Sequence, residues 1–506
     1  MKKFWIAILA LLLTGATMVQ AQEVNTLYFL ENSPMRHKIN PAFQPVSRVY
    51  VGISPLHYMS YSVGNNALAL NDLIYSKNGK MITALYPGET DKLAKRLKYD
   101  FRSTMNTELA LLNFGSRTKD STGYFHVGLN ERIESTLVLP GDIYNALSSG
   151  TATPGGRRVD LQTLSLNVQA ITELSVGYSR KVNDKWIVGG KVKFLYGNAF
   201  VDLRTNNAYF DMYPDRLHAT INGDVNLAAP INDLPARIDK ANISDIPNLF
   251  EPDIKSILKP RGLGGAIDLG FTYKPVKQFQ IAVSVTDLGF VHWDSYTYSI
   301  KGDTTYTGPV MHYSELTDET AEEQNRGINS VFDTIAEYAT AFMEESLVGV
   351  RSGDKGVNRM TNTRLHVGLD ANFCDNKIGI GVYSATQFRN RRVYEEVTLG
   401  LAIRPVNWFN LALSYSFMNG RWNSMGAGLS FMPYDGLNLT VMTDYIPFTY
   451  ADVNYDGKSV TVPYKMKGLN LAFGVTIVAG TNPKKAKKEA LAVPEKTNEI
   501  PTNTDL

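Results

Sequence analysis

The sequence predicts an all-β fold, a transmembrane antiparallel β-barrel of about 14 strands. Three observations support this prediction: an export signal at the N-terminus, segments of about ten residues that alternate apolar and polar side chains, and tight turns that alternate with long loops. After the export signal, no segment reaches the roughly 18–20 continuous apolar residues that a membrane helix needs. The mature chain is therefore expected to cross the outer membrane as strands.

Residues 1–21 form the predicted signal peptide. Lys2 and Lys3 provide its positive start, an apolar stretch covers residues 4–13, and small residues precede a cleavage site before Gln22. An apolar core of roughly 10–14 residues is too short to span a bilayer, which argues against an uncleaved anchor helix. No Cys directly follows the cleavage site, so anchoring as a lipoprotein is not expected. We expect an exported protein of the outer membrane.

The composition also fits a membrane barrel. The 506 residues include 27 Tyr, 22 Phe and 40 Gly but one Cys, so Cys374 has no partner for an intrachain disulfide. Soluble secreted proteins of this size often carry disulfides, whereas barrels place aromatic residues at the lipid interfaces and use glycine where strands bend. The net charge of +2 provides no basic surface of the kind that binds nucleic acid.

Five segments show the alternation that a lipid-facing strand requires. In each segment, large apolar side chains share one face, and small or charged side chains share the other. The apolar faces are Val188, Val192, Phe194 and Tyr196; Ile267, Leu269, Phe271 and Tyr273; Val397, Leu399, Leu401 and Ile403; Phe409, Leu411, Leu413, Tyr415 and Phe417; and Leu469, Leu471, Phe473, Val475 and Ile477. A soluble sandwich, which is the alternative, would bury its large side chains and show water a varied polar face.

Turn residues indicate the topology. Clusters of Asn, Asp, Gly and Pro predict short connections. These lie at residues 183–185, 274–277, 374–377, 405–407 and 433–436, and longer connections lie near 65–104, 138–166, 205–263, 300–360 and 449–462. Because outer-membrane barrels have short periplasmic turns and long extracellular loops, both ends of the barrel are expected on the periplasmic side.

The predicted barrel covers residues 46–478. Its first strand, residues 47–63, is expected to be interrupted at Pro55 because proline cannot donate a ladder hydrogen bond. Residues 206–227 are either an extracellular hairpin or a further pair of strands, which would raise the count to about 16. Single-chain bacterial barrels have even numbers of strands, and both counts satisfy this rule.

The loop near residues 300–360 is predicted to carry a helical extracellular insert. Apolar residues recur there every three or four positions, at Ile328, Val331, Phe332, Ile335, Tyr338 and Phe342. We expect the insert to be a lid packed on the barrel mouth or, alternatively, a docking helix for a protein partner. Shorter helices are expected near residues 71–76 and 91–98.

Residues 22–45 are predicted to fold into the barrel lumen as a plug. Pro34, Pro41 and Pro45 deny this segment both a helix and a central strand, yet it carries apolar residues without a regular pattern. Burial in the lumen would shield these apolar residues from water. Beyond the barrel, residues 479–506 are rich in Lys, Glu, Pro and Thr, which is typical of a disordered periplasmic tail.

The lumen face of the predicted strands carries charges of both signs. The candidates are Lys191, Lys193, Asp268, Asp287, Asp370, Arg404 and Asp444. Charges of mixed sign on an interior wall are expected to form a satisfied network of ion pairs, with a charged conduction path as the alternative.

No motif predicts catalysis, a cofactor or a metal centre. The sequence contains no nucleophile elbow, no phosphate-binding loop, and no pair of His or Cys at metal-ligand spacing. Residues 452–457 match the first half of a calcium loop, but Pro463 occupies the position of the bidentate Glu. We therefore favour a turn in an extracellular loop over calcium binding, and we do not expect an enzyme.

Four short motifs carry a resemblance to a known family. They are Leu27-Tyr28-Phe29-Leu30-Glu31-Asn32, Asn40-Pro41-Ala42-Phe43, Asp268-Leu269-Gly270-Phe271 and Asp287-Leu288-Gly289-Phe290-Val291-His292-Trp293. Together, over residues 27 to 478, the chain resembles an uncharacterised Bacteroidota family of outer-membrane barrels. That family is related to the FadL superfamily of long-chain fatty-acid transporters.

The resemblance implies a barrel of about 14 strands whose N-terminal segment forms a hatch. Carried over to this sequence, it implies that Asn40, Pro41, Ala42 and Phe43 are hatch residues. It also implies that the barrel lies among outer-membrane lipids and transports a hydrophobic small molecule through its lumen and sideways through its wall. The charged lumen is more polar than a fatty-acid pocket, so the substrate class stays open.

Other barrels of the superfamily serve as parts of secretion or barrel-assembly complexes, and the sequence permits this alternative. Transport predicts a continuous apolar path and a mobile hatch. A non-transporting accessory or scaffold barrel predicts a sealed lumen and a stable protein partner at the helical loops. A water-filled porin is the third possibility, and the predicted plug argues against it.

Overall fold

The computed structural model describes residues 24–69, 99–143, 156–213, 216–230, 259–307, 348–353, 356–389, 392–418, 421–434, 436–446, 450–455, 458–463 and 468–480, with short pieces between residues 72 and 97. These residues fold as antiparallel strands, preceded by two 3₁₀ helices, Asn25–Phe29 and Pro34–Lys38. In this described part of the chain, no helix is long and apolar enough to cross a membrane.

The strands are numbered β1 to β23 in chain order. They are β1 (Val49–Asn65), β2 (Ile74–Lys77), β3 (Lys80–Thr83), β4 (Phe101–Arg117), β5 (Gly123–Leu139), β6 (Arg157–Asp160), β7 (Ser165–Lys181), β8 (Trp186–Met212), β9 (Arg216–Ala228), β10 (Gly262–Tyr273), β11 (Phe279–Trp293), β12 (Tyr296–Thr307), β13 (Val348–Gly353), β14 (Val357–Met360), β15 (Arg364–Phe373), β16 (Ile378–Arg389), β17 (Arg392–Val406), β18 (Phe409–Met418), β19 (Arg421–Tyr434), β20 (Leu437–Thr443), β21 (Tyr450–Tyr455), β22 (Lys458–Pro463) and β23 (Gly468–Ala479).

Fourteen of these strands close into one antiparallel barrel, as the sequence predicts. Their order around the wall is β1, β4, β5, β7, β8, β10, β11, β15, β16, β17, β18, β19, β20 and β23. The ring closes because β1 pairs with β4 on one side and with β23 on the other, where Val49 lies opposite Ala479. Closure removes every exposed strand edge, which a wall within lipid requires.

Six short turns lie at one end of the barrel, together with the start of β1 and the end of β23. The connections from β16 to β17 and from β18 to β19 are also short, and they lie at the opposite end, where the sequence pattern predicted long loops. The predicted turns join β7 to β8, β10 to β11, β15 to β16, β17 to β18 and β19 to β20, and a further turn joins β4 to β5. This arrangement places both barrel ends on the same side, as parity requires. Strand β1 is continuous but changes register between Ile53 and Tyr58, around Pro55.

The alternating side chains separate into a lipid face and a lumen face. On β8, Val192 is 66% exposed, whereas Lys191 and Lys193 on either side of it are 5% and 6% exposed. The large apolar residues on the outer face stay exposed because the surrounding solvent there is lipid. The wall is therefore of the outer-membrane type, with apolar residues outside and polar residues inside.

Strand β8 continues beyond the barrel, and its pairing distinguishes between the two alternatives for residues 206–227, a hairpin or a further pair of barrel strands. Its distal half pairs with β9, and β9 pairs in turn with β12, so these strands form an extension of the wall at the long-loop end. Because β9 does not join the ring, residues 206–227 belong to a hairpin outside the barrel and the count stays at 14.

The expected short helix at residues 71–76 is wrong for its second half. Residues Ile74–Lys77 form strand β2, which pairs with β3. An Asn78-Gly79 dipeptide separates the two strands in the sequence, and this pair strongly favours a tight hairpin. The helical insert expected within residues 300–360 and most of residues 91–98 lie outside the described residues.

The main apolar core lies inside the lumen. It joins the side chains of the chain's first described residues to the inner face of the wall. Its members from the N-terminal part are Val24, Leu27, Tyr28, Phe29, Leu30, Met35, Ile39 and Phe43, and its larger members from the wall are Tyr50, Tyr58, Tyr124, Tyr383, Met432 and Met442.

Candidate functional site

The candidate site consists of residues 24–45, here called the N-terminal segment, and the lumen residues that contact it. Prolines prevent a regular helix, so the segment turns through two short 3₁₀ helices. Pro34 begins the second of these, and the Ser33 hydroxyl accepts a hydrogen bond from the backbone N–H of Met35. The resulting compact path keeps its apolar side chains within the lumen.

The start of the segment is bound by carboxylates from the wall. The backbone N–H of Asn25 donates to Asp444 Oδ2 at 2.6 Å, and that of Thr26 donates to Asp444 Oδ1 at 3.0 Å. The Thr26 hydroxyl also donates to Asp444 and lies 2.7 Å from Ser414 Oγ. The Asn25 side-chain amide donates to Glu396 Oε2 at 2.7 Å. These bonds satisfy backbone donors that a 3₁₀ helix leaves free at its start.

Tyr28 and Phe29 pack directly against the wall. The Tyr28 ring stacks on Tyr383 with ring centroids 4.6 Å apart, and its hydroxyl donates to Asp370. The Phe29 ring lies so close to Gly400 that a β-carbon at this position would overlap it. The glycine therefore allows the wall to approach the segment.

An ion pair holds the segment at the short-turn end. Glu31 Oε1 lies 3.3 Å from Arg404 Nη1, and Glu31 Oε2 accepts a hydrogen bond from the Asn376 side chain at 3.0 Å. Burial raises the pKa of Glu31, but the Arg404 guanidinium outweighs this effect together with other nearby cations, so the pKa of Glu31 lies below its ordinary value. The carboxylate is therefore charged at neutral pH. Nearby, the Asn32 side chain donates to the backbone carbonyl of Asn407 at 2.9 Å.

The predicted hatch residues Asn40 to Phe43 lie against β8, β10 and β11. The Asn40 side-chain N–H donates to the carbonyls of Phe271 and Val283, both at 3.2 Å, and its Oδ1 accepts from the N–H of Ala42 at 2.9 Å. The backbone at Pro41 and Ala42 lies so close to Gly189 that a β-carbon there would overlap it. Asn40 therefore ties the segment to two neighbouring strands at once.

The Phe43 side chain is buried, and the Arg36 guanidinium carbon lies 4.0 Å from the centre of its ring. A short hydrogen bond, 2.6 Å from Ser284 Oγ to the Ile39 carbonyl, adds a further connection to β11. All four residues of the predicted motif are thus in contact with the inner wall or with the segment itself.

The middle of the segment contacts the opposite wall. His37 Nε2 lies 2.9 Å from the Tyr50 hydroxyl, and its ring stacks on His126 with centroids 4.4 Å apart. Lys38 forms an ion pair with Glu108 of β4. The segment is therefore attached around the circumference of the barrel and not to one side only.

A network of buried ion pairs lies beside the segment in the lumen. Lys193 Nζ is 2.6 Å from Asp287 Oδ1 and 3.0 Å from Asp268 Oδ1, and Lys191 Nζ is 3.4 Å from Asp268 Oδ2. Arg132 Nη1 is 2.8 Å from the same Asp287 oxygen. Further members of the network are Glu134, Glu173 and Arg364. The network connects six neighbouring strands, from β5 to β15.

A local irregularity in β11 positions Asp287. This residue has a φ of 57°, and the register between β10 and β11 shifts after Ile267. The bulge turns the Asp287 carboxylate into the lumen and frees its backbone. Its N–H donates to Asp268 Oδ1 at 2.8 Å, and its carbonyl accepts a hydrogen bond from Thr363 at 3.0 Å. Asp is among the residues that tolerate a positive φ best.

Arg389 of β16 reaches across the lumen. It donates to Asn106 Oδ1 of β4 and to the Ser135 carbonyl of β5, both at 2.9 Å. These strands are not neighbours of β16, so the side chain bridges opposite parts of the wall. A cavity of about 20 Å³ lies nearby, lined in part by Val24 and Glu108. This space has room for about one water molecule.

The seven predicted lumen charges divide into two groups. Lys191, Lys193, Asp268 and Asp287 lie together in the ion-pair network, whereas Asp370, Arg404 and Asp444 contact the N-terminal segment. The sequence analysis missed Arg132, Glu134, Glu173, Arg364, Arg389 and Glu396. The alternation of Arg132 and Glu134 around the outward Ile133 is a period-two signal that could have identified two of them.

Among the described residues, no group of three His, Cys, Asp or Glu is arranged to hold a metal ion. Asp452, from the half calcium motif, lies on the β21–β22 hairpin, where its Oδ1 accepts a hydrogen bond from Thr461 at 2.7 Å. The polar groups of the site bind one another and the N-terminal segment.

A family model described as a family of unknown function, DUF5723, matches residues 41–444. The chain belongs to this family. A comparison with curated proteins found no match.

Several solved structures match most of the chain at low sequence identity. The chain is similar to the Pseudomonas putida toluene transporter TodX (9% identity, 88% of this chain and 94% of that chain, TM-score 0.39). It is also similar to a Pseudomonas aeruginosa FadL homologue (10% identity, 92% and 100%, TM-score 0.39) and to the Ralstonia pickettii toluene transporter TbuX (10% identity, 88% and 93%, TM-score 0.36).

Proposed function

We propose that this protein transports a small hydrophobic molecule across the outer membrane, with the N-terminal segment as its hatch. One observation carries the proposal: the wall behind the segment is lined by aromatic and aliphatic side chains. The larger of these are Tyr50, Tyr58, Tyr124, Tyr383, Met432 and Met442. The space enclosed by these side chains, here called the aromatic chamber, could hold a hydrophobic molecule. In this structure the apolar side chains of the N-terminal segment fill it.

The hatch residues in this proposal are Asn40, Pro41, Ala42 and Phe43, and the lumen charges act on the hatch. Asp444, Asp370 and Arg404 hold its first half, while the ion-pair network lies beside it. Movement of the hatch would expose the aromatic chamber. The corresponding division of the chain is a signal peptide (1–21), hatch (22–45), barrel (46–478) and periplasmic tail (479–506), with no catalytic role for any part.

A disulfide that locks the hatch tests the proposal. Thr26 Oγ1 and Ser414 Oγ are 2.7 Å apart, so T26C/S414C in a C374S background brings two short side chains within disulfide range. A matched control is T398C/S416C, whose hydroxyls are 2.8 Å apart between two wall strands. Uptake of radiolabelled toluene and oleate is measured in cells that lack their own fatty-acid transporter.

We expect the chain to raise uptake of at least one probe, and the oxidised hatch lock to abolish that gain until a reductant is added. The oxidised control should transport like the parent. Full uptake by the locked variant would contradict the hatch, and no uptake of either probe by the unlocked parent would contradict transport of these two classes of molecule.

A specific observation favours a second candidate, a non-transporting accessory barrel. Arg389 crosses the lumen to β4 and β5, and the cavity beside it has room for about one water molecule. A lumen bridged in this way suits a scaffold. Purification from native outer membranes in mild detergent separates the two candidates, because a stoichiometric protein partner without extracted small molecules supports the accessory role and a lone barrel with a bound hydrophobic compound supports transport.

A further inference from the structure

The membrane face of the wall contains an apolar groove next to three lysines. The groove has a volume of about 850 Å³ and crosses β11, β15, β16, β17 and β18. Its walls are two rows of outward side chains, of which the most exposed are Phe279, Leu369, Ile380, Val382, Leu399 and Tyr415. A membrane face made only of large side chains would be convex, whereas this part of the wall is concave.

A row of small residues lies between the two apolar rows and makes the groove concave. Gly381 lies opposite Gly400 in the ladder, and Gly400 lies opposite Ser414. These residues point into the lumen, where their small size leaves room beside the wall. The Phe29 ring fills that room, 3.1 Å from the β-carbon position of Gly381. The backbone of this row therefore forms the floor of the groove, with the N-terminal segment directly behind it.

The groove begins at the short-turn end of the barrel. Pro275, which belongs to the turn between β10 and β11, lines its edge. The groove extends from there to Tyr415 and Met425 in the middle of the wall. With the short turns on the periplasmic side, as in outer-membrane barrels, this position corresponds to the inner leaflet.

Positive charge is concentrated at this edge. Lys274 and Lys277 lie in the turn between β10 and β11, and Lys377 lies in the neighbouring turn between β15 and β16. All three are exposed, and in the part of the chain that the structure describes none of them forms an ion pair. The acidic residue within these two turns is Asp375, and Lys274 also lies close enough to Glu31 of the N-terminal segment to act on its carboxylate. The two turns thus carry a net charge of +2 at the level where lipid phosphates lie.

We propose that this groove and its lysines form a binding site for one anionic glycerophospholipid of the inner leaflet. The apolar rows hold the acyl chains, and Lys274, Lys277 and Lys377 bind the phosphodiester. The site lies outside the lumen and takes part in no step of the proposed transport. A bound lipid also supports the thin, glycine-rich wall from outside, opposite Phe29.

Native mass spectrometry tests the site. Delipidated protein in a nonionic detergent is titrated with phosphatidylglycerol and, separately, with phosphatidylethanolamine of the same acyl chains, and the lipid-bound fraction is measured. The charge variant is K274Q/K277Q/K377Q. Its matched control, K119Q/R180Q/K185Q, removes the same charge from exposed positions in or beside other turns. The filling variant is L399W, and V192W adds the same ring to an exposed position on β8.

We expect phosphatidylglycerol to bind more tightly than phosphatidylethanolamine, by about tenfold or more. Only phosphatidylglycerol carries a net negative charge, and each lysine near that charge contributes a factor of up to about five. The charge variant should lose this preference, L399W should lose binding of both lipids, and the two controls should match the parent. Equal binding of both lipids by the parent overturns the anionic site. Equal losses in the charge variant and its control, or full binding by L399W, overturn its location in the groove. None of these results depends on uptake, so they are independent of the transport proposal.

Discussion

Replacement of Asp444 by Ala should release the start of the N-terminal segment while the barrel stays folded. The carboxylate accepts hydrogen bonds from the backbone of Asn25 and Thr26 and from the Thr26 hydroxyl. A hydrogen bond to a charged group contributes about 1.5–3 kcal/mol, so three such bonds could contribute about 4.5–9 kcal/mol. Loss of a buried charge removes its desolvation penalty, which offsets several kcal/mol of this total. We expect the free energy that holds the N-terminal segment against the lumen wall to fall by about 3 kcal/mol.

Hydrogen–deuterium exchange in detergent measures this effect. A loss of about 3 kcal/mol corresponds to an exchange rate about 150 times faster at the amides of Asn25 and Thr26, since about 1.4 kcal/mol is a factor of ten. The control is D202A, which removes a buried carboxylate of β8 that pairs with Arg204 and Arg359 and not with the segment. Unchanged exchange at Asn25 and Thr26 in D444A would refute the reasoning, as would equal acceleration in both variants.

Three further predictions concern other contacts of the site. Gly400→Val should displace the Phe29 ring and weaken the binding of the N-terminal segment to the wall by about 1–3 kcal/mol, which should make the segment sensitive to protease. Adding Phe29→Ala should restore protease resistance, and no restoration in the double variant would contradict the direct contact. The pKa of Glu31 is lowered in the folded state, so its stabilising effect is present above its ordinary pKa of 4.5 and is lost as pH falls through the lower folded value; Glu31→Gln should therefore abolish the acid-dependent part of the exposure of the segment to protease, and an unchanged acid profile would show that protonation of Glu31 does not release the segment. Asp287→Asn should leave buried cations unpaired and lower the stability of the barrel by about 3–5 kcal/mol in urea unfolding, whereas an unchanged midpoint would indicate that the network contributes little.

The barrel was predictable because lipid imposes a strong local pattern on each strand. The alternation of Val192 with Lys191 and Lys193 indicates both faces of β8 without any knowledge of its neighbours. The tight turns follow for the same reason, since Asn, Asp, Gly and Pro act within four residues. The hairpin at β2 and β3 carried such a signal in Asn78-Gly79, and the helical expectation there was wrong.

The partners of the lumen charges were not predictable to the same degree. Asp444 and Thr26 are 418 positions apart, and the register and closure of the ring place them in contact. The sequence does not show whether Glu396 faces a cation or an amide, and in the structure it accepts a hydrogen bond from the Asn25 side-chain amide. Its role depends on which strand lies across the lumen, and no local pattern encodes that distance.

The sequence by itself therefore determined the barrel wall. It predicted strands of alternating polarity, the turns between them, and a barrel with an even number of strands whose large side chains face lipid. Only the tertiary structure decided what the lumen contains. It divided the seven predicted charges between the ion-pair network and the N-terminal segment, and it placed the Phe29 ring against Gly381 and Gly400. The physical reason is that side-chain alternation is a property of one strand, whereas ion pairing and packing depend on distances that exist only after the ring has closed.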